Sequence, residues 1–292
     1  MSISRWLQKH TASLCGKTVA VSGSTGGLGN PLCMHLAGLG ASLILLDRNE
    51  EKAKALTARL CAQYPSLAVT YIRVDLEQMD SVKAAADRLL ALSPDYLILN
   101  AGAYSIPRHT CSTGFDNVFQ INFVSPYYLA RRLLPAIEAR GGKVIAVGSI
   151  AHNYARIDPE DMDFSQRTKA SLVYGNAKRH LMAALPVLSS SEERSSSVAV
   201  VHPGITLTNI TAHYPPLLFA LIKHPMKVIF MSPKKASLCI LSGLFWDCAA
   251  DEWIGPRFFD VWGLPRKRRL KTVSKEEANT IVRRAERIYE EL

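Results

Sequence analysis

Lys17-Thr18-Val19-Ala20-Val21-Ser22-Gly23-Ser24-Thr25-Gly26-Gly27-Leu28-Gly29 is a short β-branched run that breaks into a glycine turn and leads into a helical stretch reaching Gly38. Strand, glycine turn, helix is the opening of a βαβ unit. The spacing Gly23-x-x-x-Gly27-x-Gly29 lets backbone approach a pyrophosphate closely and delivers it to a helix N-terminus, where unpaired N–H groups point outward. Such turns also close ordinary strand-to-helix connections, so the rest of the chain has to decide.

The alternation continues on the C-terminal side. Ser42 to Leu46 reads as a second strand ending at Asp47-Arg48, and Glu50 to Ala62 as an amphipathic helix. Val69 to Val74 is a strand ending at Asp75-Leu76, Ser81 to Leu92 a helix, and Tyr96 to Leu99 a buried strand ending at Asn100-Ala101-Gly102. A long helix is expected from about Gly114 to Arg140, containing Asn122 and Pro126. Lys143 to Val147 is a strand ending at Gly148-Ser149; a loop from His152 to Lys169 precedes a helix starting near Leu172, and the strand Ser197 to Val201 ends at His202-Pro203-Gly204. Nearly continuous apolar strands separated by helices imply an α/β fold, a doubly wound parallel sheet with helices on both faces. Ligands of such sheets sit beyond the carboxyl ends of the strands, where the polar residues fall.

One of those ends and one helix carry distinctive chemistry. Asp47, about 20 residues past the glycine turn, stands where a carboxylate accepts hydrogen bonds from ribose hydroxyls, and it disfavours a 2′-phosphate; Arg48 beside it would favour one. The pair therefore leans to NAD and leaves NADP open, and a helix N-cap is the plainer role for Asp47. Tyr174-Gly175-Asn176-Ala177-Lys178 puts a phenol and an ammonium one turn apart on one helix face, where the cation favours phenolate and draws the tyrosine pKa toward neutrality.

In this order the pieces resemble the short-chain dehydrogenase/reductase family, in its compact, non-extended branch, over roughly residues 16–208. Ser22 through Gly29 match the cofactor loop, with Gly23, Ser24, Thr25, Gly27, Leu28 and Gly29 as cofactor-binding positions. Asp47 and Arg48 fall at its ribose edge, Asp75 and Leu76 at its adenine edge, and Asn100, Ala101 and Gly102 at its floor. Asn122, Ser149, Tyr174 and Lys178 match the catalytic four, and Pro203, Gly204 and Thr208 the segment along the nicotinamide. Ser22 replaces the usual threonine and Leu99 the first asparagine of Asn-Asn-Ala-Gly.

The resemblance implies one Rossmann-type domain over 15–292 behind an N-terminal extension (1–14), with a substrate lid near 209–232 and a basic C-terminal tail over 264–292. It implies NAD(P)-dependent interconversion of an alcohol and a carbonyl. Tyr174 would be the general acid/base, Ser149 would bond the reacting oxygen, Lys178 would hold ribose hydroxyls and Asn122 would position a water. The long separation of Ser149 from Tyr174, with Ala151-His152 at its start, resembles retinol-dehydrogenase-like members and hence a lipophilic substrate; a homodimer or homotetramer is implied too. A non-catalytic dinucleotide sensor would show a broken Ser/Tyr/Lys set, and a nucleotide-sugar epimerase or dehydratase a larger C-terminal domain than the residues after Thr208 provide.

The totals agree. Of 292 residues, 48% are hydrophobic and 21% charged, enough apolar material for a full core and too little charge for disorder. A formal charge of +10 suits a pyrophosphate-bearing ligand as well as a nucleic acid or an anionic membrane. No aromatic residue interrupts Arg266-Lys267-Arg268-Arg269-Leu270-Lys271, so no nucleic-acid partner is expected and the run reads as a solvated tail or else a membrane-surface or partner contact. Six scattered cysteines without a C-x-x-C pair exclude a zinc or redox motif, and with no secretory signal visible they point to a cytoplasmic, reducing compartment; no metal is expected. Ile3, Trp6, Leu7 and Leu14 share a helical face beside Arg5 and Lys9, which packs on the domain or makes weak peripheral membrane contact. His152 and His202 read as structural, and Tyr214 to Met231 as lid or core.

Overall fold

The computed structural model describes residues 2–189, 196–206 and 231–292. Its centre is an eight-stranded sheet in the order β3-β2-β1-β4-β5-β6-β7-β8. The strands are β1 (Thr18–Ser22), β2 (Ser42–Asp47), β3 (Val69–Arg73), β4 (Tyr96–Leu99), β5 (Lys143–Val147), β6 (Val198–Val201), β7 (Glu252–Phe258) and β8 (Trp262–Arg269). All neighbours are parallel except β7 and β8, which form an antiparallel hairpin. The chain winds outward from β1 to β3, then crosses back to β4 on the other side of β1. That reversal is the topological switch point, where a crevice opens beyond the strand ends.

Register fixes which residues meet there. Ser22 pairs with Leu46, Asp47 with Arg73, Leu99 with Ala146 and Val147 with Val201. Gly23, Asp47, Asn100, Gly148 and His202 therefore leave the sheet along one edge.

Strand period two sorts side chains onto two buried faces. Ala20, Ile44, Leu46, Leu97, Leu99 and Ala146 belong to one apolar cluster, and Val19, Val21, Leu43, Leu45, Ile98 and Ile145 to the other. The first face is covered by α4 (Met79–Leu92), α6 (Ser125–Glu138), α7 (Ala170–Ala184) and α9 (Lys275–Glu291). The second is covered by α1 (Ile3–His10), α2 (Gly29–Gly38), α3 (Glu50–Gln63) and α8 (Pro233–Phe245). Trp6 of α1 is 1% exposed and its ring lies 6.4 Å from that of Trp246, so the N-terminal stretch packs on the domain.

Two expectations need correction. The long helix is α5 (Asn117–Phe119), a π-helical turn (Gln120–Val124) and then α6. Its widening has a local cause: the Asn122 side chain donates to the Val118 carbonyl at 2.8 Å, the acceptor a regular helix would give to the Asn122 amide. Pro126 falls in the first turn of α6, where a missing N–H costs nothing. Secondly, residues 264–292 are not a solvated tail, because Arg266 to Arg269 pair with β7 and Ile281, Ala285 and Ile288 of α9 are buried in the first cluster. The N-cap alternative for Asp47 is not taken, since Asn49 caps α3, accepting from the Lys52 amide. Thr208 and all but the last two residues of the 209–232 lid lie outside the described residues. Among the described residues no helix is long and apolar enough to cross a membrane, no cysteine is paired and no metal-ligand cluster occurs.

Candidate active site

The glycine turn is built around close approach. Gly23 has φ +64, and a Cβ there would stand 2.9 Å from the Ala101 Cα; one on Gly29 would stand 2.1 Å from the Gly23 carbonyl oxygen. Only glycine lets the turn lie against β4 and start α2. The Ser22 hydroxyl accepts from the amides of Asn100 and Ala101, both at 3.0 Å, so serine does here what the usual threonine hydroxyl would offer. The Asn100 amide nitrogen donates to the carbonyls of Ser22 and Gly23, pinning the turn. Gly27 and Leu28 complete the turn, with Leu28 the residue before the first turn of α2.

A cleft of about 470 Å³ opens beside this turn, within the range of small-molecule sites. Its walls include Gly23, Asp47, Arg48, Asp75, Leu76, Ala101 and Gly102, seven positions expected from the sequence. Glu77, Ile106, Pro107, His109, Asn117 and Ile121 also line it and were not foreseen, since they come from loops and helix ends without a pattern of their own. The residues fit a dinucleotide: apolar walls for a base, a glycine cradle that any Cβ would fill, and carboxylates at the rim.

Asp47 is engaged more deeply than expected. Its carboxylate accepts from the Ser24 hydroxyl, the Thr25 hydroxyl at 2.8 Å and the Thr25 amide at 3.2 Å. Burial raises its pKa from the ordinary aspartate value, opposed by those hydrogen bonds. Arg48 is two-thirds exposed and lies 3.9 Å from Asp75 and 3.8 Å from Glu77, pairs that solvent screens.

Gly102 connects this cleft to the second group of residues. A Cβ on it would stand 2.8 Å from Asn122 Oδ1 and 3.5 Å from Lys178 Nζ, so Asn122 and Lys178 lie directly behind the cleft floor. Asn122 is held by its amide nitrogen on the Ala103 carbonyl at 2.8 Å and by its oxygen on the Ala103 amide at 3.3 Å. Ser149 caps the 3₁₀ turn Ile150–Asn153, and its side chain hydrogen-bonds that of Tyr174. Asn122, Lys178, Tyr174 and Ser149 thus form one connected set, although none of the four lines the cleft itself.

The electrostatics differ from the sequence reading. Lys178 Nζ lies 5.7 Å from the Tyr174 ring centre and donates to the Val147 carbonyl at 2.8 Å. Enclosure pushes the half-buried Tyr174 phenol up to about 12, its bond to Ser149 acting the other way, and burial pushes the Lys178 ammonium down to about 7. Desolvation of both groups outweighs their attraction. At neutral pH the phenol keeps its proton.

A third layer was missed. Arg179, fully buried, sends its guanidinium to both carboxylate oxygens of Glu277, to the Thr272 carbonyl at 2.6 Å and to the His152 carbonyl at 3.0 Å. His152 Nδ1–H donates to the Ser149 carbonyl at 2.6 Å and Nε2 accepts from the Thr272 hydroxyl at 2.9 Å. Burial holds this histidine below its ordinary pKa, so it stays neutral and keeps both bonds. It is structural, as read from the sequence, but it supports the Ser149 turn. His202 is likewise structural, bonding the Asp260 carbonyl at 3.0 Å; Pro203 is buried, and Gly204 follows with φ +85.

Gly175 sets the distance between α7 and the Ser149 turn, because a Cβ there would stand 2.4 Å from the Ala151 carbonyl oxygen. Alanine ordinarily favours a helix by about 1 kcal/mol over glycine. Here the obstacle is backbone, so Gly175→Ala is expected to destabilise by ~1–2 kcal/mol and to separate Tyr174 from Ser149. A displacement on the order of 1 Å lowers kcat about 100-fold. Steady-state kinetics with a denaturant titration check this, and wild-type kcat would show the contact to be slack.

The comparisons agree with this geometry. Residues 17–216 match the family described as short chain dehydrogenase. An uncharacterized oxidoreductase of Schizosaccharomyces pombe is 26% identical over 252 residues, covering 81% of this chain and 74% of its own. The short chain dehydrogenase rstn4 of Aspergillus nomiae is 31% identical over 225 residues, covering 68% and 61%. Human retinol dehydrogenase 13 is 29% identical over 209 residues, covering 69% and 62%. Among solved structures, an uncharacterized protein from Mycobacterium paratuberculosis superposes with a TM-score of 0.75 at 23% identity, covering 96% of this chain and 95% of that one. L-Sorbose reductase from Gluconobacter frateurii, complexed with NADPH and L-sorbose, gives a TM-score of 0.61 at 19% identity, covering 82% and 94%. With its glycine turn, switch-point cleft and Ser149–Tyr174–Lys178 set in one fold, this chain belongs to the short-chain dehydrogenase family of NAD(P)-dependent oxidoreductases.

Proposed function

We propose that the chain interconverts an alcohol and a carbonyl, with Tyr174 as general acid/base. The observation that carries this is the connection of Ser149, Tyr174, Lys178 and Asn122 to the cleft through Gly102. The nicotinamide group, when bound, gives or takes the hydride. Tyr174 gives its proton to the carbonyl oxygen in reduction and takes one from the alcohol in the reverse direction. Ser149 holds that oxygen by a hydrogen bond, Lys178 holds ribose hydroxyls and Asn122 a water that links Lys178 to solvent. Gly23 through Gly29 cradle the pyrophosphate, Asp75 and Leu76 flank the adenine, and Pro203, Gly204 and Thr208 run beside the nicotinamide.

The substrate is lipophilic on this reading. Supporting it are the apolar composition of residues 214–231 and the likeness to retinol dehydrogenase 13. Unpaired cysteines fit a cytoplasmic setting, and family likeness supports a dimer or tetramer, which light scattering tests.

NAD is the favoured cofactor, because Asp47, Asp75 and Glu77 line the cleft and would repel a 2′-phosphate, while Arg48 already faces two of them. Titration following nicotinamide fluorescence is expected to give at least about tenfold tighter binding of NADH than of NADPH, equivalent to ~1.4 kcal/mol. Asp47→Ala removes a charge and releases Ser24 and Thr25, so NADH binding weakens and the preference narrows. An unchanged ratio would make Asp47 a brace for the turn and nothing more, and binding of neither dinucleotide would overturn the whole reading.

A further inference from the structure

At the far end of the sheet, β7 and β8 meet in a turn whose Phe259 serves neither packing nor backbone comfort. Phe259 is 87% exposed, and Phe259 and Asp260 have φ of +51 and +58, with the Val261 amide donating to the Phe258 carbonyl at 3.0 Å. Two successive left-handed residues make a hairpin turn that ordinarily takes Asn-Gly. A phenylalanine there is strained and bare. Phe258 and Trp262 flank it, both more than two-fifths exposed, with rings stacked at 4.8 Å and the Arg257 guanidinium 5.7 Å from the Phe258 ring.

Cations gather on the same hairpin. Residues 257–271 hold six of them (Arg257, Arg266, Lys267, Arg268, Arg269 and Lys271) against one carboxylate, Asp260. Asp260 is paired with Arg268 at 2.8 Å, and Arg268 also donates to the Arg257 carbonyl, which curls the basic strand toward the aromatic turn. Arg269 meets Asp251 at 3.7 Å and Lys267 donates to the Asp247 carbonyl. Arg266 and Lys271 have no carboxylate within salt-bridge distance among the described residues. Between strand and turn lies a groove of about 420 Å³ lined by Arg266 to Thr272, Asp260, Trp253 and His152, the last bonded to the Ser149 carbonyl.

We propose that the β7–β8 hairpin docks this protein on an anionic lipid bilayer, its aromatic turn entering the interface and its cations meeting phosphate headgroups. Charge complementarity together with exposed aromatic rings selects this partner. Cations on the outermost strand would also deter strand-to-strand aggregation, but that role gives no reason for Phe259 and Trp262. A nucleic acid would want aromatics interleaved with the cations, whereas here they are confined to the turn.

The test is co-sedimentation of the full chain with vesicles of phosphatidylcholine alone and of phosphatidylcholine doped with phosphatidylglycerol. Binding is expected to the doped vesicles only and to fall as salt is raised. Arg266→Glu with Lys271→Glu should weaken it by at least about 25-fold, at roughly fivefold per cation. Phe259→Gly should weaken it roughly tenfold while raising Tm by about 1–2 °C, because it removes buried-on-binding surface and relieves the left-handed strain together. Opposite signs for binding and stability separate docking from a folding defect. NADH titration of the same variants should match wild type, which keeps this proposal separate from the catalytic reading. Equal binding to both vesicles, binding to neither, or variants that bind as wild type would overturn it. So would hairpin-dependent binding of nucleic acid, or a dimer lost in Phe259→Gly, in place of vesicle binding.

Discussion

Tyr174→Phe is expected to bind the nicotinamide dinucleotide as wild type does and to lose turnover by about 10²–10⁴-fold, the range over which a positioned proton donor accelerates a reaction. The change removes one oxygen. It leaves the edge-to-face contact with Tyr104 at 5.3 Å and the Lys178 bond to the Val147 carbonyl in place, so the ring and the cleft floor keep their positions. Lost with the oxygen are the bond to Ser149 and the only proton that Tyr174 can give. Because the phenol pKa stands near 12, the wild-type hydroxyl is protonated throughout the neutral range, and reduction should show no pH-dependent loss from this group below about pH 10. In the oxidative direction phenolate is needed, so the rate should climb with pH. Single-turnover reduction separates chemistry from binding: kcat should fall with the dinucleotide Kd unmoved. A variant that turns over at the wild-type rate would transfer the proton to another group, and one that no longer binds dinucleotide would make Tyr174 a cofactor ligand first.

The glycine turn, the strand ends and the Tyr174–Lys178 spacing were legible because each depends on local sequence. Nearly continuous apolar runs announced β1 through β6, and the polar residue after each run fell where the register puts it. The hairpin and α9 were not legible: β8 is Pro- and Arg-rich, with little apolar alternation, and its pairing to β7 is a tertiary fact. Propensity reads such a segment as solvated, and packing overrides it. The same limit hid the environment of Tyr174. Spacing correctly put Lys178 near the ring, but where its ammonium bonds depends on the Val147 carbonyl at the end of β5, 31 residues earlier in the chain. Arg179 carried no signal beyond lying next to Lys178, since its partners Glu277 and Thr272 are more than 90 residues away.

Glu277→Ala is expected to destabilise the fold by ~3–5 kcal/mol, the range for breaking one side of a buried ion pair. The Arg179 side chain is 1% exposed and that of Glu277 11%, so water replaces little of what the carboxylate provides. Burial alone would raise the Glu277 pKa, yet the Arg179 hydrogen bonds and charge win and hold it below the ordinary value. A lowered carboxylate pKa contributes stability above its unfolded value and loses it as pH falls through the folded one. The gap between wild type and Glu277→Ala, measured by urea titration, should therefore be full at neutral pH and shrink on acidification below about pH 4.5, where both proteins leave the guanidinium without an anion. Replacing the pair, Arg179→Met with Glu277→Leu, should recover most of the stability, because no charge is then buried alone. Turnover should recover less, since Arg179 also holds the His152 carbonyl, and His152 holds the carbonyl of Ser149. A Glu277→Ala variant within about 1 kcal/mol of wild type would place Arg179 in a wetter setting than its bonds imply. A double variant with full activity would remove α9 from the support of the site.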